Sequence, residues 1–294
     1  MDLSIIIPSY NTKQDTKNCL NSIYKHTKGI EFEAIVVDND SHDGSPQMIR
    51  EEFPQVNLIA NKENLGFGKA NNQAAKQANG EYILLLNSDT LLHDNALKTS
   101  LDAAKSIDNI GAFTCKLVYE DGDLQPTGGY FPTICNLYAW QFFIDDLPLA
   151  SKLIKSVHPP VSHYTQKRNL DWVTGAFTII PKKVYQETGG FDPDIFMYAE
   201  ELELCYRIKK LGYKVVYDPV ATITHLQAKS SSVSYSLISE IKGIKYFFRK
   251  HKPVWQLPLA SLAFKLGSLM RIIVFGIIKN DSQKKNVYLK ALSV

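Results

Sequence analysis

The segment "LLLNSDT", residues 84–90, is an apolar run that ends abruptly in small polar side chains and one carboxylate. A turn followed by a helix cap uses the same residue types, because Asn, Ser, Asp and Thr all favour those places. This is the commoner use of such residues. A ligand site at the carboxyl end of a buried strand is the second interpretation, since open α/β sheets bind their ligands there. The segment alone leaves both interpretations open, so the surrounding sequence has to decide between them.

Around this segment, short apolar runs alternate with helical stretches. We predict strands at 4–8, 33–38, 56–60, 82–86 and 111–118, and helices at 12–26, 45–53, 68–78 and 95–106. Continuous apolar strands separated by helices are typical of a mainly parallel sheet that is covered on both faces. The predicted fold class is therefore α/β and Rossmann-like, with the strand ends lining one crevice.

After residue 120 this alternation of predicted strands and helices ends. Residues 120–170 are rich in Gly, Pro and aromatic residues without a clear period, which predicts a long irregular excursion that serves as a lid or binding surface. A strand is predicted at 172–181, a helix at 200–211, and one or two strands at 213–225. The apolar stripe of that helix is formed by Leu202, Cys205, Ile208 and Leu211.

Composition limits the classes of function. The chain has 294 residues, 45% of them hydrophobic and 21% charged, which is an ordinary globular composition. A net charge of +3 is too small for nucleic acid to be the main partner. The four scattered cysteines are typical of reduced thiols, and the N-terminus has a short apolar run without a basic leader. We therefore expect a cytoplasmic protein whose first apolar run is a strand.

Small polar groups recur where the apolar strands end or where helices begin. They are Pro8-Ser9-Tyr10-Asn11, Asp38-Asn39-Asp40-Ser41, Asn64-Leu65-Gly66-Phe67, Asn87-Ser88-Asp89, Glu200-Glu201 and His225. One such group is a turn, but several at the ends of neighbouring parallel strands define a site.

In their order and spacing, five segments together resemble the inverting family-2 glycosyltransferases of the GT-A fold, especially the rhamnosyltransferase-like branch. The segments are "IIIPSYN" (5–11), "VVDNDSHDGS" (36–45), "NKENLGFGKANN" (61–72), "LLLNSDT" (84–90) and "FDPDIFMYAEELELCYRIKKLGYKVVYDPVATITH" (191–225). The resemblance covers roughly residues 1–250. It implies a GT-A catalytic domain at 1–235 that moves a sugar from a UDP- or dTDP-sugar, with dTDP-rhamnose as a candidate. The implied acceptor is a glycan or a lipid-linked glycan in cell-surface polysaccharide synthesis.

Asp38 is expected to recognise the donor nucleotide. A carboxylate only accepts hydrogen bonds, so it suits the imide N–H of uracil or thymine, or ribose hydroxyls; capping of the following turn is the alternative. The residues Asp43, Gly44 and Ser45 are assigned to that turn and cap. The resemblance assigns donor binding to Pro8, Tyr10, Asn11, Asp38, Asn39, Asn64, Gly66, Asn87, Ser88, Trp172 and Gly175.

Asp89 and His225 are the expected metal ligands, which answers the question that the opening segment raises. The resemblance implies a divalent cation that bridges the donor phosphates, and hard oxygen ligands suit Mg²⁺ or Mn²⁺. The family motif often begins with Asp, whereas this chain has Asn87, which leaves that amide as a neutral ligand or a sugar contact. A partly buried histidine at a strand end is the alternative for His225.

Glu201 is the expected general base, and Glu200 is the alternative. Inversion needs one carboxylate that accepts the proton of the attacking hydroxyl. The family usually has Glu-Asp here, so the base of this chain carries one extra methylene. Without the resemblance, acidic residues at 200, 201 and 203 would only indicate the start of a helix. Trp172 offers an apolar face to a sugar or belongs to the core, and Gly175 permits close backbone approach.

Three other functions were compared with the sequence. A dehydrogenase on a Rossmann sheet would need GxGxxG after the first strand, where "PSYNTK" stands instead. A nucleotidyltransferase would need a Gly-rich basic phosphate loop near the N-terminus, and none is visible in the sequence. A catalytically inactive nucleotide-sugar-binding scaffold at a membrane stays open, because both Asn87 and Glu201 depart from the family pattern.

Residues 236–294 are expected to form a basic, amphipathic helical extension. Lys242, Lys245, Arg249, Lys250 and Lys252 interleave with Tyr246, Phe247, Phe248 and Trp255, which suits an anionic lipid surface. In the apolar run 259–278, a polar stripe is formed by Ser261, Lys265, Ser268 and Arg271. This stripe predicts a helix lying in the membrane interface, on the inner face of the plasma membrane. Packing on protein, with Lys265 at the rim, is the alternative.

Overall fold

The computed structural model describes residues 1–147, 149–227 and 233–294. Its strands are β1 (Leu3–Ser9), β2 (Phe32–Asp38), β3 (Asn57–Ala60), β4 (Tyr82–Leu86), β5 (Thr90–Leu92), β6 (Ile110–Val118), β7 (Leu124–Gln125), β8 (Gly128–Gly129), β9 (Arg168–Leu170), β10 (Trp172–Val173), β11 (Phe177–Pro181) and β12 (Lys214–His225). Its α-helices are α1 (Lys13–His26), α2 (Ser45–Glu52), α3 (Phe67–Ala75), α4 (Ala96–Lys105), α5 (Ile134–Gln141), α6 (Ala150–Leu153), α7 (Lys182–Thr188), α8 (Glu200–Lys210), α9 (Val233–His251), α10 (Gln256–Ile273) and α11 (Ser282–Ala291). A 3₁₀ turn lies at Val161–Thr165, and α10 continues as a π-helical turn at Val274–Ile278.

Within the described part of the chain, the α-carbon contacts separate two compact units. The first comprises Met1–Gly128, Val161–Phe196 and Glu200–Ser230, and the second comprises Gly129–Pro160, Met197–Ala199 and Ser231–Val294. The predicted division of function between 1–235 and 236–294 stays a prediction. Residues 148 and 228–232, which fall within these predicted segments, lie outside the described residues.

The first unit is built on one mixed sheet, whose main path is β3-β2-β1-β4-β11-β6-β12-β5. Parallel pairing joins β3, β2, β1 and β4, and it also joins β6 to β12. Strand β11 runs antiparallel between β4 and β6, while β5 runs antiparallel to β12. The prediction of a mainly parallel, Rossmann-like α/β sheet with flanking helices and a C-terminal helical region is confirmed.

The central strands are buried because helices cover the sheet. The side chains of β4 are all buried, as are the isoleucines of β1, and Cys19, Leu20 and Ile23 of α1 pack into the same core. This is why those strands are continuously apolar in the sequence. The bounds of the predicted elements in this half agree with the structure to within a few residues, whereas the short strand β5 was not predicted.

Three local predictions were wrong. The predicted strand at 172–181 is divided into β10 and β11 by residues 174–176. The predicted irregular excursion at 120–170 contains α5, which begins at a capping box of Thr133 and Asn136. Its sequence lacks a visible period because apolar residues lie all around that helix. Leu211 follows the last residue of α8 and is 51% exposed, so it does not extend the buried stripe.

The predicted membrane-facing residues of the second unit also differ from the structure. Phe247 and Phe248 of α9 are fully buried, so they cannot contact lipid. Ser268 and Arg271 of α10 are buried too, which contradicts a solvent-facing polar stripe, whereas Lys265 is exposed. Arg271 is buried because its guanidinium donates to the backbone oxygens of Gln141 (2.6 Å) and Trp140 (3.1 Å), the last carbonyls of α5. A cation in this place stabilises a helix C-terminus.

One helix of the described residues, Gln256–Ile278, is long and apolar enough to cross a membrane by length and composition. Core helices of soluble proteins have the same length and composition, so this feature alone does not distinguish a membrane span from a packed helix.

Candidate active site

The ends of three neighbouring strands bring the predicted polar groups to one edge of the sheet. Strand β1 lies between β2 and β4, with Ser9 opposite Asp38 and Ile6 opposite Leu85. All three strands run in the same direction, so the segments that follow them lie side by side. The sequence pattern predicted only that these strand ends share one edge of the sheet. The parallel register shows which residues lie side by side there.

One carboxylate oxygen of Asp38 accepts a hydrogen bond within the protein, and the other does not. Its side chain is 1% exposed, and Oδ1 accepts a hydrogen bond from the backbone N–H of Ser41 (2.9 Å). Its Oδ2 is buried without a hydrogen-bond partner among the described residues. A buried polar atom without a partner is costly and calls for an explanation. A ligand that donates a hydrogen bond supplies one, and the turn contact at Oδ1 shows that capping accounts for only half of this carboxylate.

The neighbouring turn is held by its own side chains. Asp43 Oδ1 accepts from the backbone N–H of Ser45 (3.0 Å), and its Oδ2 accepts from the N–H of Lys13 (2.8 Å). Asn11 has a left-handed backbone (φ 52°), and its Oδ1 accepts from the N–H of His42 (2.8 Å). Asp43 therefore has the turn role assigned from the sequence, and Asn11 ties the end of β1 to the same turn. Pro8 is half-buried and Tyr10 exposed beside it.

The segment after β3 is joined to this turn by amide hydrogen bonds. Asn39 donates from Nδ2 to the carbonyl of Gly66 (3.3 Å) and accepts at Oδ1 from Asn61 (3.0 Å). Asn64 accepts from the N–H of Gly66 (2.9 Å), which is an Asx turn. Gly66 has φ 80°, and a Cβ there would lie 2.5 Å from the carbonyl oxygen of Phe196. These contacts give Asn39, Asn64 and Gly66 a part in shaping the turn; their predicted contacts with the donor stay predictions.

Asp89 and His225 meet at the end of β4. Asp89 Oδ1 lies 3.2 Å from His225 Nε2, and Asn87 Nδ2 lies 3.2 Å from the same nitrogen. His225 Nδ1 lies 2.7 Å from Gln125 Oε1, an atom that only accepts hydrogen bonds, so Nδ1 carries the proton of this contact. In the neutral imidazole Nε2 then accepts a hydrogen bond from Nδ2 of Asn87, with Asp89 Oδ1 beside it. His225 is thus a buried histidine at the end of β12 with polar side chains on both ring nitrogens, and its role as a metal ligand stays a prediction.

These side chains fit a divalent cation. A histidine that ligates a metal through Nε2 normally donates its other N–H to a protein oxygen, as His225 does to Gln125. Within 1–147, 149–227 and 233–294, no cluster of three or more His, Cys, Asp or Glu residues is placed to hold a metal. Two protein ligands are nevertheless enough where phosphates and water complete the shell, which is the usual arrangement for Mg²⁺. Asp89 and His225 would supply those two ligands.

The short loop 174–176, between β10 and β11, is hydrogen-bonded both to the segment after β4 and to α8. The backbone N–H of Gly175 donates to Glu201 Oε1 (3.0 Å), and the carbonyl of Ala176 accepts from the N–H of Asn87 (3.2 Å). A Cβ on Gly175 would lie 2.8 Å from the ring of Phe67 and 3.0 Å from Glu201 Oε1, so glycine is needed for this approach. Glu201 is half-buried. The loop thus fixes the predicted base relative to the predicted metal motif.

Glu200 differs in environment from Glu201. Its side chain is buried, and Oε2 has no hydrogen-bond partner in the described part of the chain. Burial, and then the charge of Glu201, raise the pKa of Glu200 well above its ordinary value of 4.5. Glu203, the third acidic residue of this turn, forms an ion pair with Arg207 (2.6 Å). The three carboxylates at the start of α8 therefore have three different environments, which a common role at a helix start would not explain.

Replacing Glu200 by glutamine should make the free energy of unfolding less dependent on pH. Below the ordinary carboxyl pKa, Glu200 is protonated in both the folded and the unfolded chain. As the pH rises from there toward the raised folded pKa, only the unfolded chain ionises, so the wild type loses stability. Relative to wild type, the variant should gain stability as the pH rises above the ordinary carboxyl pKa of 4.5, as measured by denaturant titration. The exposed Glu51→Gln serves as the control, and a Glu200 effect that does not change with pH would contradict the burial argument.

The remaining predicted residues lie in the same unit. Ser88 is buried, with its Oγ 3.1 Å from Thr12 Oγ1. Trp172 is half-buried in β10, a strand that packs against α8. Its stacking on a sugar stays a prediction.

Two residues of the site were missed by the sequence analysis. Gln125 orients His225 from 100 positions away in the chain, and its neighbours carry no motif. Asp15 lies in α1, where burial, and then the charge of Asp89, raise its pKa. In the sequence, Asp15 is recognisable only as an acidic residue in the first turn of a helix. Acidic residues are common in that position, so it did not indicate a site.

Residues 4–184 match the family model described as glycosyl transferase family 2. Among curated relatives, the N-acetylglucosaminyl-diphospho-decaprenol L-rhamnosyltransferase of Mycobacterium tuberculosis is 25% identical over 272 residues, which covers 85% of this chain and 86% of the relative.

Two solved structures share the fold. A mannosyltransferase from Pyrobaculum calidifontis, in complex with GDP-Man and Mn²⁺, has a TM-score of 0.58 and 18% identity, covering 98% of this chain and 85% of its own. GalNAc-T7, solved with UDP, GalNAc and Mn²⁺, has a TM-score of 0.59 and 16% identity, covering 90% of this chain and 54% of its own. With the family match and the site described above, the chain belongs to glycosyl transferase family 2 and is a glycosyltransferase of the GT-A fold with a rhamnosyltransferase relative.

Proposed function

We propose that this protein is a metal-dependent inverting glycosyltransferase that uses a UDP- or dTDP-sugar. Glu201 is the general base, Asp89 and His225 hold Mg²⁺ or Mn²⁺, and Asp38 recognises the nucleotide. The acceptor is a glycan or a lipid-linked glycan of a cell-surface polysaccharide. The observation that carries this proposal is the 174–176 loop, which binds Glu201 through Gly175 and Asn87 through Ala176.

The chemistry follows from the position of Glu201. Its carboxylate accepts the proton of an acceptor hydroxyl while the hydroxyl oxygen bonds to the anomeric carbon of the sugar. The bond between that carbon and the phosphate oxygen breaks from the opposite face, so the configuration inverts and a nucleoside diphosphate leaves. The hydrogen bond from Gly175 holds one oxygen of Glu201 in place during this step.

The residues at the end of β4 serve the leaving group. A divalent cation held there by Asp89 and His225 would supply positive charge that offsets the negative charge of the leaving diphosphate. Asp89 contributes a negative charge that retains the cation, and His225 contributes a nitrogen whose orientation is fixed by Gln125. The mannosyltransferase and GalNAc-T7 structures described above were both determined with Mn²⁺, which supports a cation of this kind.

The relative from M. tuberculosis supports the choice of substrates. Its name specifies L-rhamnosyl transfer and an N-acetylglucosaminyl-diphospho-decaprenol, a lipid-linked sugar. We therefore place dTDP-rhamnose first among the candidate donors and a lipid diphosphate-linked glycan first among the acceptors. Such an acceptor lies in a membrane, so the proposed location is cytoplasmic and peripheral, on the inner face of the plasma membrane.

A ligand screen with an Asp38→Asn variant tests the nucleotide assignment. Asparagine can keep the contact between Oδ1 and Ser41, but it places a donor where the free acceptor Oδ2 stands. With Mn²⁺ present, UDP or dTDP should raise the melting temperature of the wild type. The variant should bind the same nucleotide about 10- to 100-fold more weakly, the range expected for a hydrogen bond to a charged group.

The melting temperature of the variant without nucleotide distinguishes the two roles of Asp38. A lower melting temperature with unchanged nucleotide affinity would make Asp38 a structural turn residue only. Stabilisation of the wild type by GDP alone, and by neither UDP nor dTDP, would contradict the proposed donor class.

A further inference from the structure

Helix α10 has an unusual distribution of side chains. Its buried face is made of small and polar residues, which are Ala260, Ala263, Gly267, Ser268 and Arg271, together with Phe264. Its exposed face is made of large apolar residues, which are Trp255, just before the helix, and Leu259, Leu262, Leu266, Leu269 and Ile273. We call these last six residues the apolar stripe. They recur every three or four positions, so they form one continuous line along the helix.

The exposure of this stripe is substantial. Trp255 is 63% exposed, Leu262 is 46% exposed and Ile273 is 52% exposed. Single apolar residues on a surface need no explanation, but a contiguous apolar patch marks an interaction site. The apolar stripe therefore faces outward, whereas Ser268 and Arg271, which the sequence placed in an exposed polar stripe, face inward.

The packing of α10 within the second unit indicates how it would meet a membrane. One long side of the helix packs against α5, α9 and α11. A Cβ on Gly267 would lie 2.3 Å from Gln141 Oε1, which shows how closely α10 approaches α5. Arg271 donates to the carbonyls at the end of α5 and lies 4.3 Å from the ring centroid of Phe143. These contacts keep one side of the helix against protein, so α10 fits a position in the plane of an interface and not across it.

The charge of this part of the chain selects the kind of surface. Residues 236–294 contain 11 of the 33 Lys and Arg residues but 2 of the 30 Asp and Glu residues, which gives a formal charge of +9. The remaining 235 residues carry a formal charge of −6. Lys265 is exposed within α10, and Lys252 and Lys279 flank it. A lysine beside an apolar face can bury its stem and keep its ammonium group at the level of lipid head groups.

A second copy of the same helix is a weaker fit. The three- and four-residue spacing of the stripe would suit a coiled-coil contact, but such contacts are usually flanked by charges of opposite sign. The charged residue that borders the stripe within α10 is Lys265, and two copies would bring net positive units together. An anionic lipid surface offers the complementary charge together with an apolar layer.

We propose that the apolar stripe of α10 is a membrane-docking face that inserts into the interface of an anionic bilayer, with Lys265 contacting its acidic head groups. This inference rests on the proposed function, because it supplies the surface on which a lipid-linked acceptor is presented.

Vesicle flotation of the full-length protein tests this face. The vesicles contain phosphatidylcholine alone or mixed with an equal part of phosphatidylglycerol. The wild type should float with the anionic vesicles, and high salt should weaken its binding because the head-group attraction is screened. The double variant Leu262→Gln/Leu266→Gln should lose at least about ten-fold in partitioning, because two inserted apolar side chains are replaced.

Leu211→Gln is the matched control, since Leu211 is similarly exposed but lies outside α10, and it should float like the wild type. A wild type that stays with the soluble fraction, or a double variant that floats unchanged, would overturn the docking face. A wild-type dimer in light scattering that becomes a monomer in the double variant would assign the stripe to a second copy and reject lipid. Release of nucleoside diphosphate from the donor is measured in parallel without vesicles. A wild type that releases nucleoside diphosphate but does not float would overturn the docking face alone. A wild type that floats but releases no nucleoside diphosphate would instead contradict the transferase assignment.

Discussion

Replacing Glu201 by glutamine is expected to lower kcat by about 10²- to 10⁴-fold, the range for loss of a positioned general base. Glutamine has nearly the same shape, and its Oε1 can still accept the hydrogen bond from the N–H of Gly175. The 174–176 loop should therefore keep its position, so nucleotide affinity and the melting temperature should change little. What disappears is the ability to accept a proton from the acceptor hydroxyl. The measurement is steady-state release of nucleoside diphosphate with a glycan acceptor, alongside nucleotide titration.

Glu200→Gln is the matched comparison, because it makes the same chemical change one residue away. Glu200 is buried and its pKa is raised, so it suits a neutral side chain better than a base at neutral pH. We expect a much smaller fall in kcat for this variant. If Glu200→Gln is inactive and Glu201→Gln is active, the two roles must be exchanged. If neither variant nor wild type releases nucleoside diphosphate from any candidate donor while all of them bind it, the chain is a binding protein and not a transferase.

Asp89→Ala is expected to remove metal-dependent turnover, with a fall in kcat of about 10³-fold at saturating donor. The variant loses the carboxylate that faces His225 Nε2 at 3.2 Å, and charge stabilisation at a metal contributes several kcal/mol. Binding of Mn²⁺ together with UDP or dTDP should weaken in the same variant, as read from the shift in melting temperature with increasing Mn²⁺. That second readout does not depend on catalysis.

The control for Asp89 is Asp102→Asn. Asp102 is an exposed carboxylate of α4 that pairs with Lys98, so its loss should leave both metal binding and turnover as in the wild type. A second comparison, Gln125→Ala, should weaken Mn²⁺ binding without removing a ligand, because His225 loses the partner that orients its ring. Unchanged turnover and unchanged Mn²⁺ dependence in Asp89→Ala would contradict the metal assignment.

The sequence contained most of what is needed to predict the sheet. Strands such as β1 and β4 are continuously apolar because they are buried on both faces, and the polar residues that end them mark the edge where a parallel sheet can bind a ligand. The order of the motifs was enough to predict the family. Local periodicity failed where apolar residues lie all around a helix, as in α5, and where a loop divides an apolar run, as between β10 and β11.

Local patterns and the order of motifs were thus enough to predict a mainly parallel sheet, the family and the set of candidate side chains. The contacts that those side chains make are visible in the folded chain alone. Gln125 reaches His225, and Gly175 reaches Glu201, through pairings between residues far apart in the chain. The same holds for α10, where periodicity shows which residues share a face but not which face meets protein. The carbonyls at the end of α5 draw Arg271 inward, and the leucines of the opposite face are thereby left exposed.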